Sequence, residues 1–358
     1  MIRKLKDMIG GKVRNDKTPL QWAPGMSITN ANGDLDSASL GFQYTLQTTD
    51  FIRSRVIGQK FYKVPPADFF TIIPGNGAWM EGIKLNATYD IAGPFEQGII
   101  GTASNQGQIA TVDVGTAPIS RKVHTWAKAY VYSLPEVKKA LASLNWDPVE
   151  QKMGALKRQW DLGIQKVGFL GLLGDLTLTP GLLTNASVTV DTTTIPMNLG
   201  AMTADELTTF VSIVLGVFSE NSNFTAMPTK FVIPQDDFLG LVAPYSATFP
   251  NISRLNYLLD AFKAATGNAN FQIKPLVYCQ KDFNAGYVVD ASGRNRYALY
   301  NDEMDEAGNA PVSMDLPVDF NLTPAGTKNN FQFEGIGCGQ FTGCIFDRPR
   351  EAVYFDHT

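Results

Sequence analysis

Residues 147–170 read DPVEQKMGALKRQWDLGIQKVGFL, and this stretch predicts one long amphipathic helix. Asp147 can accept hydrogen bonds from the free backbone N–H groups of a first helical turn, Pro148 suits the first helical position, and Glu150 completes a capping box. At 1.5 Å per residue this helix extends roughly 35 Å, so we expect a spine across a whole domain and call it the spine helix. Apolar side chains recur at every third or fourth position and share one face: Val149, Met153, Leu156, Trp160, Ile164, Val167 and Leu170.

The charge of the chain is distributed unevenly along its length. The 358 residues include 30 basic and 34 acidic side chains, for a formal net charge of -4. The first seventeen residues hold six of the bases and two of the acids, which leaves 24 bases, 32 acids and a net charge of -8 for the rest. Two readings stay open, a solvated, frayed terminus or a tail that lies along a polyanion. The bases concerned are Arg3, Lys4, Lys6, Lys12, Arg14 and Lys17.

Length and composition favour an ordinary globular protein. The 44% hydrophobic content and the length of 358 residues predict about two domains with a sizeable core. Charged residues interrupt the apolar ones near the start, so we expect no signal peptide, and no apolar run is long enough for a transmembrane helix. Three cysteines are too few for a disulfide framework, which predicts a reduced, cytosolic chain. Cys338 and Cys344 are expected to be buried apolar residues rather than metal ligands.

The residues before the spine helix predict an extended arm and then a long two-stranded ribbon. Residues 1–45 show no sustained periodicity, as in an extended arm, and strand-like pieces follow within 46–74. Residues 75–119 contain eight glycines and five charged residues. Alternation within Lys84–Ile91 and Gln108–Val114 predicts the two strands of the ribbon. Because an isolated ribbon is marginal in water, it must pack against its own body or against a neighbouring copy.

The remaining pattern predicts a strand and a short helix before the spine helix, and a second, α+β or α/β region after it. Val123–Tyr132 reads as a strand, and Ser133 with Glu136 forms a capping box for a helix from Leu134 to about Leu144. From about residue 176 helices and strands alternate in a layer with its own core. Helices are expected at 207–218 and 252–266, and strands at 188–190, 230–233, 272–278, 287–290, 297–300, 331–334, 340–346 and 352–355.

No common reaction signature occurs in the sequence. Of the two histidines, His124 falls inside a predicted strand and is expected to be structural, and His357 is the penultimate residue. The motifs of serine hydrolases, zinc proteases and phosphate loops are absent, and the clustered acids at 236–237 and 302–305 are expected to be surface or capping groups. We therefore expect no catalytic, cofactor or metal site. A binding or structural role is favoured over an α/β hydrolase or transferase with an unrecognised carboxylate site.

The order of these parts resembles the major capsid proteins of tailed phages, whose HK-ninety-seven-type fold is shared with the encapsulin nanocompartments. The resemblance covers roughly residues 45–358 and implies an α+β fold. The basic arm favours a phage shell that encloses a genome, and an encapsulin-type compartment is the alternative. The segments that carry the likeness are Trp79–Gly93, residues 105–109 (NQGQI), Lys122–Glu136, the spine helix and Gly181–Asn185.

The resemblance also implies a structural role for each segment of the chain. Residues 1–45 would be an N-terminal arm, 75–119 an extended loop laid over an adjacent subunit, and 176–310 an axial domain around capsomer centres. The peripheral domain would comprise 46–74, 120–175 with the spine helix at 148–170, and 311–358.

The expected partners are many copies of the same chain, as hexamers and pentamers, and packaged double-stranded DNA near the basic arm. Scaffolding, portal and decoration proteins are further expected partners. No membrane partner is expected. The protein would assemble in the host cytoplasm and reside in the virion. The resemblance implies inter-subunit loop contacts by Trp79, Glu81, Lys84, Tyr89 and Phe95.

Overall fold

A computed structural model describes residues 60–91, 93, 111–144, 147–246, 250–288, 293–305, 308–329 and 331–357. The predicted arm at 1–45 and the strand-like pieces before residue 60 lie outside these residues. The chain divides into two units, Met1–Lys60 with Ala140–Trp146, and Phe61–Lys139 with Asp147–Thr358. The sheets and cores belong to the second unit.

Helices and strands alternate irregularly along the described residues. The α-helices are α1 (Leu134–Leu144), α2, which is the spine helix (Pro148–Leu170), α3 (Ala204–Asn221), α4 (Gln235–Gly240), α5 (Arg254–Thr266) and α6 (Lys281–Asn284). The strands are β1 (Thr71–Pro74), β2 (Gly82–Ile91), β3 (Asp113–Lys122), β4 (His124–Ser133), β5 (Thr189–Asp191), β6 (Lys230–Pro234), β7 (Gln272–Leu276), β8 (Asn295–Tyr300), β9 (Val312–Leu316), β10 (Val318–Leu322), β11 (Gly326–Asn329), β12 (Gln332–Phe341), β13 (Cys344–Phe346) and β14 (Ala352–His357).

The spine helix begins and ends where the sequence predicts. One carboxylate oxygen of Asp147 accepts hydrogen bonds from the backbone N–H groups of Val149, at 2.8 Å, and Glu150, at 3.4 Å. The helix ends at Leu170, before Gly171 with a φ of 78°. The predicted capping box of Ser133 with Glu136 before α1 is confirmed, and Thr203 with Glu206 forms another before α3. Local capping chemistry thus fixed three helix starts.

The spine helix packs closely on one face of the sheet that contains β4 and β12. These two strands pair antiparallel along ten positions, from Gln332 opposite Ser133 to Phe341 opposite His124. Added Cβ atoms would lie 2.6 Å from Leu156 at Gly337 and 2.4 Å from Trp160 at Gly339, so only glycine admits the helix at this distance. The sequence predicted two strands, at 331–334 and 340–346, with the glycines between them. The glycines lie instead inside one strand, β12, because small residues at alternate positions make room for the helix.

A five-stranded sheet separates two hydrophobic cores. Its order is β5-β14-β8-β6-β7, with β14 parallel to β5 and antiparallel to β8. Ala352 and Tyr354 of β14 point into the core that includes the spine helix, whereas Val353 and Phe355 point into the core of α3 and α5. Both faces of this strand are therefore buried. The resemblance implied that 311–358 belongs with the spine helix, but the last strand of this segment pairs inside the sheet of the 176–310 region, a nonlocal pairing that periodicity does not encode.

Several predicted strand boundaries were wrong. The second ribbon strand is Asp113–Lys122, and it contains Pro118 opposite Asn86; of the predicted strand Gln108–Val114, residues 108–110 lie outside the described residues and 111–112 precede the strand. A proline is tolerated there because each strand of a two-stranded ribbon has one free edge. Residues 287–288 lie in a turn rather than a strand. β9 and β11 were missed because β9 is buried at all but its last position and β11 is exposed throughout, and β10 was missed although its burial alternates.

Candidate assembly interface

The ribbon formed by β2 and β3 stands apart from the other sheets. Within the described residues, its strands pair with each other and with no other strand, over ten positions from Gly82–Lys122 to Ile91–Asp113. The predicted ribbon is thus confirmed. Exposed side chains continue along both strands, among them Leu85, Val112 and Val114.

The two faces of the ribbon differ in polarity near its root. Leu85 lies opposite Ile119 and Ile83 opposite Arg121, so one face is apolar beyond the root. Lys84 lies opposite Ser120 on the other, polar face. A ribbon with one apolar face exposed needs a surface to cover it, since apolar area left in water carries an unfavourable free energy.

A buried arginine fastens the ribbon to the body. Arg121, which is 1% exposed, donates to Asp315 Oδ2 at 2.6 Å, to Ser313 Oγ at 3.0 Å and to both oxygens of Asp347 at 2.6 and 2.7 Å. Burial by itself would lower the pKa of the Arg121 guanidinium, but Asp347 and then Asp315 outweigh it and raise the pKa above its ordinary value. The guanidinium is therefore a permanent cation between two carboxylates.

The opposite strand is held at its root by backbone contacts. Trp79 donates its backbone N–H to Gln340 Oε1 at 2.7 Å, and Val123 donates its own to the carbonyl oxygen of Glu81 at 3.1 Å. Trp79 has a φ of 63°, unusual for a bulky residue, and its side chain is 65% exposed. Met80 beside it is 61% exposed. The root thus presents two large apolar side chains to solvent.

A small polar cluster flanks the same root. His124 Nε2 lies 2.6 Å from Thr179 Oγ1 and 3.6 Å from Asp175, whose carboxylate also accepts from Lys122 Nζ at 2.7 Å. Burial, and then Lys122, lower the pKa of His124 despite the opposing effect of Asp175. The imidazole also stacks on Phe341, with 5.8 Å between the ring centroids. These contacts give His124 the structural surroundings that the sequence predicted.

The sheet beneath the spine helix has a second face that no described element covers. Trp126 contacts Trp160 of the spine helix, with 5.4 Å between ring centroids, so alternate residues of β4 point away from the helix. We define the outer sheet face by the small and apolar residues among those that point away on β4 and β12, a face that Glu334 and Gln340 share: Thr125, Ala127, Ala129, Val131, Ile336 and Cys338. The four from β4 and Ile336 are exposed and Cys338 is half-buried.

The predicted contact residues fall partly within the described structure. Trp79, Glu81 and Lys84 are exposed at the root and the first part of β2. Tyr89 occupies a position in β2, and its side chain is not described. Phe95 and the basic residues Arg3, Lys4, Lys6, Lys12, Arg14 and Lys17 lie outside the described residues. The Arg121 cluster was missed, because its partners are distant in sequence and nothing local marks them.

The other candidate groups serve structural roles where they are described. Burial raises the pKa of the Cys279 and Cys344 thiols, so both remain protonated. Asp237 accepts hydrogen bonds from the Tyr297 hydroxyl and the Gly200 amide, and Asp302 pairs with Lys230. Among the described residues, no group of three or more His, Cys, Asp or Glu side chains is arranged to hold a metal ion. No described helix is long and apolar enough to span a bilayer.

One of the comparisons with known proteins shows a family. The family model described as major capsid protein matches residues 98–357. The search of curated proteins found no match.

Solved phage capsids have a similar fold. The capsid of Myoviridae phage XM1 has 13% sequence identity and a TM-score of 0.68, over 87% of this chain and 98% of that chain. Microbacterium phage Oxtober96 has 12% sequence identity and a TM-score of 0.53, over 88% of this chain and 97% of that chain. Mycobacterium phage Bobi has 11% sequence identity and a TM-score of 0.52, over 88% of this chain and 99% of that chain. At such low identities the likeness shows the fold alone.

Proposed function

The chain belongs to the major capsid protein family and has an HK-ninety-seven-type fold, and from this premise we propose that it builds the icosahedral head of a tailed phage around double-stranded DNA. In this proposal hexamers and pentamers of the chain form the shell, with scaffolding, portal and decoration proteins as further partners. Assembly takes place in the host cytoplasm, and the protein has no catalytic role. The encapsulin-type compartment is less well supported, because the matching family model is that of a major capsid protein.

The domain roles are part of the same proposal. The extended loop is 75–119, the peripheral domain contains 46–74 and 120–175 with most of 311–358, and the axial domain is 176–310 completed by β14. The basic arm, residues 1–17, lies toward the genome, where lysine and arginine would release counterions from phosphates.

The observation that carries the proposal is the exposed ribbon. On its apolar face Leu85 is exposed and Ile119 is half-buried, and most residues of the outer sheet face are exposed. We propose that the ribbon of one copy covers the outer sheet face of the next. Both elements run for ten residues, roughly 33 Å, so their lengths match.

The path of the chain favours a neighbour over self-coverage. Only Val123 separates the end of β3 from the start of β4, so the ribbon and the sheet extend in succession from one point. A ribbon attached in this way is poorly placed to fold over the sheet that continues from it. Contact between two different patches on identical copies is heterologous, and such contacts form a ring when the rotation between successive copies closes. Rings of this kind are what a capsomer requires.

Disulfide cross-linking to Cys338 tests the contact. Leu85→Cys and Ile119→Cys place a thiol on the apolar ribbon face, and Lys84→Cys and Ser120→Cys are matched controls on the polar face. After mild oxidation of assembled particles, we expect a ladder of linked chains on a non-reducing gel for the first pair only, and none when Cys338→Ser is added. Because Cys279 and Cys344 are fully buried, Cys338 is the accessible thiol among the described residues.

The outcomes separate the parts of the proposal. Particles that form normally without apolar-face links would contradict the ribbon contact but leave the shell function standing. A wild-type chain that elutes as a monomer to tetramer in size-exclusion chromatography under all conditions, with no particles in negative stain, would contradict the shell function itself.

A further inference from the structure

The turn after α3 holds two adjacent non-glycine residues in the left-handed region. Asn223 has a φ of 52° and Phe224 a φ of 58°. Asparagine tolerates this conformation because its short side chain bonds locally, whereas phenylalanine gains no such compensation. A strained bulky residue persists only where its surroundings enforce it, and such strain gathers at functional positions.

Hydrogen bonds on both sides enforce this conformation. Phe224 donates its backbone N–H to the Ser219 carbonyl at 2.8 Å, and Thr225 donates its own to the Ser222 carbonyl at 3.1 Å. Just before the turn, the Asn221 side-chain amide donates to the carbonyl oxygens of Arg350, at 2.8 Å, and Ala352, at 3.0 Å. The end of α3 is thereby fastened to the start of β14, and the turn is a fixed platform.

The platform presents apolar side chains to solvent instead of burying them. Phe224 is 76% exposed and Met227 is 49% exposed. Residues 221–229 read NSNFTAMPT and contain no charge. A strained turn that exposes an aromatic ring benefits neither the local backbone nor the core of this chain, so its benefit must come from another molecule.

We propose that Phe224 and Met227 form a second contact between copies of this chain in the shell, separate from the ribbon. This inference rests on the proposed shell function. Copies of a chain with a net charge of -4 repel each other, which favours uncharged patches such as 221–229 for copy-to-copy contacts. Aromatic and methionine side chains are enriched at the centre of protein–protein interfaces.

The size of the patch indicates under which conditions the contact forms. Phe224 and Met227 together offer roughly 250 Å² of apolar surface, far below the roughly 800 Å² per partner of a stable pairwise complex. The contact therefore does not form between dilute subunits, and it forms only where other contacts already hold copies together. In a closed shell many such contacts act at once and become effective through multivalency.

Phe224→Asn separates an assembly role from a structural one. Asparagine accepts the left-handed conformation, so unassembled subunits should melt at the same temperature as wild type or higher. Particle formation should require at least about tenfold more protein, as expected when an interface anchor is lost. Asn223→Gly is the matched control, since it relaxes the neighbouring strain, keeps the aromatic ring and should assemble normally. A lowered melting temperature for Phe224→Asn, or unchanged assembly, would overturn the inference.

Thiol labelling gives a second, independent measurement. In a Cys338→Ser background, Phe224→Cys should react with a maleimide in dissociated subunits and be protected at least about tenfold in particles. Equal labelling in both states would overturn the contact. Both experiments start from a chain whose wild-type form makes particles, so the absence of wild-type particles refutes the shell function and a negative result with Phe224 refutes this inference alone.

Discussion

The Arg121 guanidinium lies 2.6 Å from the Asp315 carboxylate, although 194 positions separate the two residues in the sequence. Arg121 is the second-to-last residue of β3 in the ribbon, and Asp315 is in β9, which pairs with β1 and β13. The pair therefore joins the ribbon to a different sheet. Whatever orientation the ribbon takes at its root is set by a buried, charge-assisted contact rather than by loose apolar packing.

Removing the arginine should destabilise the subunit strongly. Arg121→Met leaves the Asp315 and Asp347 carboxylates near each other without their cation, and breaking a buried pair in this way costs about 3–5 kcal/mol. The free energy of unfolding of unassembled subunits in urea measures the effect. Lys122→Met is the matched control, because the Lys122–Asp175 pair is partly exposed and should contribute less than about 1 kcal/mol. Equal losses for the two variants would contradict the role of Arg121.

Two glycines with opposite surroundings should respond in opposite ways to alanine. At Gly339 the new Cβ would lie 2.4 Å from Trp160, which is held by Trp126 and Phe341, so Gly339→Ala should cost roughly 1–3 kcal/mol. At Gly154, in the spine helix, no atom lies within 4 Å of the new Cβ, and Gly154→Ala should stabilise by about 0.5–1 kcal/mol. Urea unfolding of both variants checks the signs. A neutral Gly339→Ala would show that the helix does not press on β12.

Sequence reasoning succeeded where the determinants are local. The Asp147 cap and the apolar repeat of the spine helix lie within one stretch of chain, so its start at Pro148 and its end at Leu170 were predictable. The left-handed cap of α5 at Gly267, with a φ of 67°, was predictable for the same reason.

Long-range pairings carried no such local mark. β14 was recognised as a strand, but its neighbours β5 and β8 are set by tertiary packing. Neither Arg121 nor its carboxylate partners stand out in their own segments. The candidate contact residues came from resemblance to a family, and the geometry adds the root and the outer sheet face, which no periodicity indicates.

Protonation of His124 should weaken the subunit at mildly acidic pH. Its pKa is lowered in the folded state, so on acidification the unfolded chain, with a histidine pKa of about 6.5, binds the proton first. The contribution of His124 to stability is therefore complete above about pH 6.5 and is lost as the pH falls below it. The free energy of unfolding between pH 8 and 5 should fall more steeply for wild type than for His124→Gln. Identical slopes for wild type and His124→Gln would contradict the prediction.

Shortening the ribbon should leave a folded subunit that does not assemble. Ile83 and Arg121 are directly opposite, so an Asn-Gly turn can replace residues 84–120 and keep the Arg121 cluster, Trp79 and Val123 in place. Because the ribbon pairs only with itself in the described structure, urea unfolding should change by less than about 1 kcal/mol, in line with substitutions away from the core. Size-exclusion chromatography and negative-stain microscopy should show small species without particles.

Substitutions in the full-length chain test the same contact without a deletion. The double variant Leu85→Ser, Ile119→Ser keeps the full length of the ribbon but makes its apolar face polar. It should also fail to assemble. Asn86→Ser on the opposite face should form normal particles. If the shortened chain closed into normal shells, the ribbon would not be the arm that joins copies, and the exposed apolar face would need another partner.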